Sequence, residues 1–207
     1  MAKKKQSKNK GVMGRSDIPY AQRLRMQQNH SIASGRNHSA QIVMFCTSVA
    51  LHEIEGIGYK RLTNYSLYYK TVVDEFYEDI DVGMAHAKRR MEQMGMPISG
   101  EFYKVEIKGL TKREQQIHDH SLHASQVAQI CNAIAMNDFF GFGCDRQFRI
   151  SERVSELTNR YAKEGENFLL EEMGKIGFSI VDGKVTAYAD EDGRAVMPSK
   201  ARKEGWA

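Results

Sequence analysis

"HEIEGIGYKR" at residues 52–61 and "NDFFGFGCDR" at 137–146 carry an acid, a Gly-x-Gly and an arginine in the same order, 85 residues apart. Laying residues 38–61 over 123–146 without a gap matches seven of 24 positions: His38/His123, Gln41/Gln126, Cys46/Cys131, Ala50/Ala135, Gly56/Gly141, Gly58/Gly143 and Arg61/Arg146. Unrelated segments of average composition would share roughly one or two. Conservative pairs, among them Val49/Ile134 and Glu53/Asp138, fill the intervals. The chain is therefore an internal duplication, and the repeated unit is the frame for every other motif.

Working outward, Ile42, Phe45, Cys46 and Val49, and their counterparts Val127, Ile130, Cys131 and Ile134, fall on one helical face. A second helix follows each Gly-x-Gly, with Leu62, Tyr65, Tyr69, Val72, Val73 and Phe76 in one copy and Ile150, Val154, Leu157 and Tyr161 in the other. A third helix comes next, and then a β-like segment. Asp182-Gly183 between alternating residues at 178–188 signals a two-residue hairpin, and Ser99-Gly100 stands at the matching place in 96–107. The expected fold is mainly α with short β-hairpins, an α+β chain built by tandem duplication of a helix–GxG–helix–helix–hairpin unit. Its units are 36–108 and 121–188. A basic disordered arm is expected over 1–35, the start of a connecting helix over 109–120, and a loose tail over 189–207. Thr111 and Glu114 have capping-box spacing, which predicts a helix from about residue 112 that runs on into the second copy.

The net charge of +4 is unevenly spread. Residues 1–36 hold nine Lys/Arg against the single acid Asp17, so the rest of the chain carries −4. The body lacks the basic bias of a nucleic-acid-binding domain. Lys3, Lys4, Lys5, Lys8 and Lys10 on the arm could bind duplex DNA weakly, salt-dependently and without sequence preference. The longest apolar run, "IVMF" at 42–45, is far short of a membrane span, and the basic N-terminus has no apolar stretch after it. No membrane association is expected. Three cysteines without paired spacing suit a reducing compartment, and the expected location is the cytoplasm of a bacterial host.

Two readings compete for the repeated element. A glycine-exposed helix start can hold a phosphate on its unpaired amides, which makes Gly56, Gly58, Arg61, Gly141, Gly143 and Arg146 candidate nucleic-acid-binding residues. Glu53, Glu55 and Asp138 place negative charge beside that seat. The preferred alternative is a tight αα turn, with positive φ and close helix approach at the glycines and structural ion pairs Glu53–Arg61 and Asp138–Arg146.

Other candidates carry less. His38 and Cys46, like His123 and Cys131, stand eight residues apart and some 80° around a helix, a poor metal geometry, and the cysteines sit in the apolar stripe. His118, His120 and His123 could form a metal site or a pH-sensitive surface, but solvated helix histidines are the plainer reading. No nucleophile motif, P-loop, dinucleotide fingerprint or HExxH occurs, so neither catalytic residues nor a cofactor is expected.

Apolar-x-Gly-apolar-Gly before a helix, as in "IEGIG" at 54–58 and "FFGFG" at 139–143, resembles the helix-hairpin-helix motif, which grips DNA backbone without reading sequence. "ALHEIEGIGYKRL" and "AMNDFFGFGCDRQ" further resemble small helical accessory proteins of Firmicutes phages and prophages, with their Ala-Leu-His/Asn-acid-x-x-Gly-Phe-Gly-x-x-Arg segment. About a dozen residues per copy carry the likeness. Ile57 replaces the phenylalanine in the first copy, and Gln147 the usual aliphatic in the second. The resemblance implies a non-enzymatic binding protein acting on a host protein or nucleoprotein complex, most specifically an inhibitor of a CRISPR effector nuclease. Sequence-independent binding of duplex DNA is the alternative, and a metalloenzyme built on the histidines comes third.

Overall fold

The computed structural model describes residues 20–98, 107–181, 184–186, 188–189 and 195–196. Six helices make up most of it: α1 (Tyr20–Glu55), α2 (Tyr59–Glu78), α3 (Ile80–Gln93), α4 (Lys112–Phe140), α5 (Cys144–Glu164) and α6 (Glu166–Ile176). Two short antiparallel ladders follow, β1 (Ser179–Val181) with β2 (Lys184–Thr186) and β3 (Tyr188–Ala189) with β4 (Ala195–Val196).

Local chemistry sets each boundary. The Thr111 side chain accepts from the Glu114 amide while Glu114 accepts from the Thr111 amide, a complete capping box, and α4 then runs unbroken through the second repeat. Asp79 caps α3 by accepting from the amides of Asp81 and Val82. The α5–α6 break falls at the equivalent level, on Gly165. Val181 pairs with Lys184, leaving two residues between the strands, the spacing that Asp-Gly predicts.

The long helices α1 and α4 lie side by side and parallel, with equivalent residues level. A Cβ on Gly35 would meet Ser121 and Ile117, which bracket its equivalent, His120. Further along, Val43 and Thr47 of α1 border the same space as Gln129, Asn132 and Ala133 of α4. Each copy's second helix then packs on the other copy's long helix, α2 along α4 and α5 along α1. The third helices continue the exchange, α3 reaching α4 and α6 reaching α1. The repeats thus form a pseudo-dimer within one chain around a single core, in which Cys46, Val49, Leu51, Leu62, Tyr65, Val127, Cys131, Ile150 and Leu157 are all buried.

Three expectations change. Residues 20–35 belong to α1, so the arm expected over 1–35 is not one element. The polar composition there hides a helical segment continuous with the packed half of α1. The tail contributes the β3–β4 ladder. The first copy's expected hairpin falls mostly on 99–106, outside the described residues.

Candidate nucleic-acid interface

Because α1 and α4 are parallel, both Gly-x-Gly turns lie at the same end of the molecule. Each is built identically. Gly56 and Gly141 adopt left-handed conformations, φ 64° and 70°. The Gly56 amide donates to the His52 carbonyl at 3.0 Å and the Ile57 amide to Leu51 at 3.3 Å. Gly141 and Phe142 repeat this on Asn137 and Met136 at 2.8 and 3.3 Å. These are paired C-terminal caps, each sealed by a buried apolar residue, Ile57 or Phe142. His52 Nδ1 lies 3.0 Å from the Ile57 carbonyl, and Asn137 Nδ2 donates to the Phe142 carbonyl at 3.2 Å. The repeated His/Asn position therefore pins the turn, a role invisible until the carbonyl is placed.

Gly58 and Gly143 differ from expectation. Both are extended, at φ −85° and −78°, and serve as N-caps without a side-chain hydrogen bond. A Cβ at any of the four glycines would meet nothing within 4 Å, so close helix approach does not explain them. The positive φ at Gly56 and Gly141 does.

The expected local ion pairs are also corrected. Glu53 accepts from Arg153 Nε at 2.7 Å, and Asp138 accepts from Arg90 and from the Tyr68 hydroxyl, the latter at 2.9 Å. Position 153 in the second copy is the equivalent of 68 in the first, so both acids bind the same register of the opposite repeat. The hydrogen bond that Arg153 donates to Glu53 holds the guanidinium's pKa up, aided by the one to Glu156. At Arg90, burial acts downward and the bond and charge of Asp138 outweigh it. Glu55 lies 3.8 Å from Arg149. The acids that argued against an anion seat therefore all have cationic partners.

Arg61 and Arg146 meet on aromatic rings instead. The Phe140 and Phe142 rings stack, with centroids 5.1 Å apart. Arg61 lies over Phe140 and Arg146 over Phe142, each with Cζ 5.3 Å from the centroid. Among the described residues neither arginine has a carboxylate partner, and both side chains are exposed. Stacking fixes a guanidinium plane and leaves its N–H edge available. Lys60 is exposed beside them, and the first-turn amides of α2 and α5 have no side-chain cap. One end of the bundle thus offers two uncapped helix starts and two oriented guanidinium groups.

The remaining candidates lie elsewhere. Lys3, Lys4, Lys5, Lys8 and Lys10 fall outside the described residues. The N-terminus of α1 is the end remote from the turns, about 54 Å away for a helix rising ~1.5 Å per residue over its 36 residues. Cys46 and Cys131 are fully buried, and burial pushes the Cys131 thiol up to about 12. His38 approaches the Tyr161 hydroxyl at 2.9 Å. Among the described residues no group of three His, Cys, Asp or Glu side chains could hold a metal ion.

Burial, followed by the charges of Arg36 and His120, lowers the His123 pKa below its ordinary 6.5. A histidine whose folded-state value is depressed binds fewer protons folded than unfolded, so stability is lost as pH falls below 6.5 and through the folded value. The urea midpoint should therefore drop between about pH 7.5 and pH 5, around the ordinary histidine range. The drop should be smaller in His123→Gln, and an unchanged profile in that variant would remove His123 from the account.

Comparison of the chain with protein-family models, with curated proteins and with solved structures finds no match. No helix of the described residues is long and apolar enough to cross a membrane.

Proposed function

We propose that this is a non-enzymatic binding protein of phage or prophage origin that engages a host nucleic-acid machine through its two-turn end. The observation that carries the reading is the convergence of Arg61 and Arg146, from different repeats, on one Phe140–Phe142 stack between two uncapped helix starts. Such an end favours anions, and a phosphate backbone presents them in series. The phage-protein resemblance makes a CRISPR effector nuclease the most specific partner. Direct binding of duplex DNA by the same face is the second reading. It is favoured by the helix-hairpin-helix likeness and by the engagement of Glu53, Glu55 and Asp138 with arginines.

The test is fluorescence anisotropy of labelled duplex DNA across salt, together with inhibition of a purified CRISPR effector nuclease by stoichiometric protein. Arg61→Ala/Arg146→Ala should remove two phosphate contacts and flatten the log–log salt slope by about two, at ~0.9 per contact. Changing Lys3, Lys4, Lys5, Lys8 and Lys10 to glutamine separates the arm from the turns. If the arginine changes leave both DNA affinity and nuclease inhibition untouched, the turns are structural only. Inhibition without DNA binding, lost with the arginines, places the contact on the nuclease complex itself.

A further inference from the structure

We infer that the cavity between α1, α3, α4 and α5 is a binding site for a small neutral aromatic compound of one or two fused rings. It holds about 320 Å³. Ligand pockets run from roughly 300 to 1,000 Å³ and are mostly apolar. No Asp, Glu, Lys, Arg or His side chain lines it. A charged ligand would lose its water there and find no opposite charge, whereas a neutral one meets no such cost.

The duplication shows what shape is missing. The repeats build an equivalent place between α2 and the end of α6, and there aromatic rings fill it. Tyr59 and Phe178 are both buried and meet edge to face, with centroids 4.8 Å apart. Cys144 stands at the position of Tyr59. Met96 stands at that of Phe178, since each follows a left-handed glycine and donates its amide back across a helix end, Met96 to Met91 and Phe178 to Met173. Along α5, Ile150 and Val154 occupy the positions of Tyr65 and Tyr69 in α2. Cys144, Met96, Ile150 and Val154 all line the cavity, and each stands where the equivalent place has a ring. What the cavity lacks is flat aromatic volume.

Two features of its wall point the same way. Met91, Met96 and Met136 turn the lining towards thioethers, which adapt to an irregular outline and make favourable contacts with aromatic edges. Phe148 lies at the mouth, 60% exposed, where the first copy has the buried Thr63. A ring entering beside Phe148 would cover apolar surface now left in water and gain an aromatic pair. Such binding calls on neither Arg61 nor Arg146, so it stands or falls separately from the anion-binding end.

The probe is 2-naphthol, a phenol uncharged at neutral pH. It is compared with decahydro-2-naphthol, its saturated counterpart, and with 2-naphthoate, using the full chain. Calorimetric titration should show 2-naphthol binding at least about tenfold more tightly than the saturated alcohol, which has no flat ring for the methionines and Phe148. The advantage over 2-naphthoate should be at least about as large, because the carboxylate would be left unpaired. Bound 2-naphthol should also slow alkylation of Cys144, whose two fellow cysteines are buried. Cys144→Tyr and Ile150→Tyr each copy a ring of the first repeat into the cavity and should abolish binding while circular dichroism reports an intact fold. No binding of 2-naphthol to the wild-type chain, or equal affinity for it and its saturated counterpart, overturns the proposal. So does binding that leaves Cys144 alkylation unchanged and survives in both tyrosine variants.

Discussion

Gly83→Ala is expected to destabilise the protein by about 3 kcal/mol, although alanine is the better helix former by ~1 kcal/mol. Gly83 is buried in α3, where that helix turns back onto the end of α2. A Cβ there would lie 2.3 Å from the Phe76 carbonyl oxygen and 2.9 Å from its Cα and carbonyl carbon. Those are backbone atoms inside a packed helix, so no rotamer change relieves the overlap and α3 must lift off. Gly174 supplies the control. It sits in α6 with open space where a Cβ would go, and Gly174→Ala should stabilise by about 0.5–1 kcal/mol. Urea unfolding of the two variants reads both signs. A Gly83→Ala midpoint equal to or above the wild type would mean that α3 does not dock on α2 in solution.

The second large effect belongs to Tyr65. Its ring is fully buried and touches Phe139 and Phe140, at 6.1 and 5.2 Å between centroids, and its hydroxyl donates to Asn132 Oδ1 at 2.7 Å. Burial drives the hydroxyl's pKa well up, which keeps it a proton donor. All these partners are on α4, so Tyr65 ties the first repeat's second helix to the second repeat. Tyr65→Ala should cost about 3–5 kcal/mol, the range for deleting a large core aromatic. Tyr65→Phe keeps the ring and strands the Asn132 oxygen, for a cost of about 1–2 kcal/mol. The difference between the two, taken from denaturant midpoints at constant m, separates packing from the hydrogen bond. Equal losses would mean that the ring contributes nothing beyond its hydroxyl.

What the sequence reveals here is whatever closes within a few residues. Thr111 and Glu114 announce the start of α4 because a capping box is complete in four residues. The Gly-x-Gly turns are legible for the same reason, as every hydrogen bond of the cap falls between residues 51 and 57 or 136 and 142. The acid–arginine pairing misled because residues 53 and 61 straddle that cap. The left-handed glycine sends α2 away from α1 and onto α4, so Glu53 is left facing α5 and finds Arg153, 100 residues on. Nothing local in the chain names that partner. The aromatic support under Arg61 is hidden for the same reason, since Phe140 belongs to the other copy. A cavity lined by α1, α3, α4 and α5 is hidden too, since only the exchange of helices brings Val43, Met91, Asn132 and Gln147 together.

The exchange of helices between repeats also governs how the protein is made. A chain leaving the ribosome presents α1, α2 and α3 first, yet the helices that cover α1 are α4, α5 and α6. Each residue of α1 waits for an equivalent 85 positions downstream, which at about 5–20 residues per second is roughly 4–17 s of synthesis. Over that interval the stripe through Val43, Cys46, Val49 and Ala50 lacks the second-repeat helices that make up most of its native cover. The nascent first repeat is then a sticky, half-complementary surface. A second ribosome on the same message carries an identical one, able to pair with it as α4 would. Slower synthesis should therefore lengthen the time in which nascent first repeats can pair with one another.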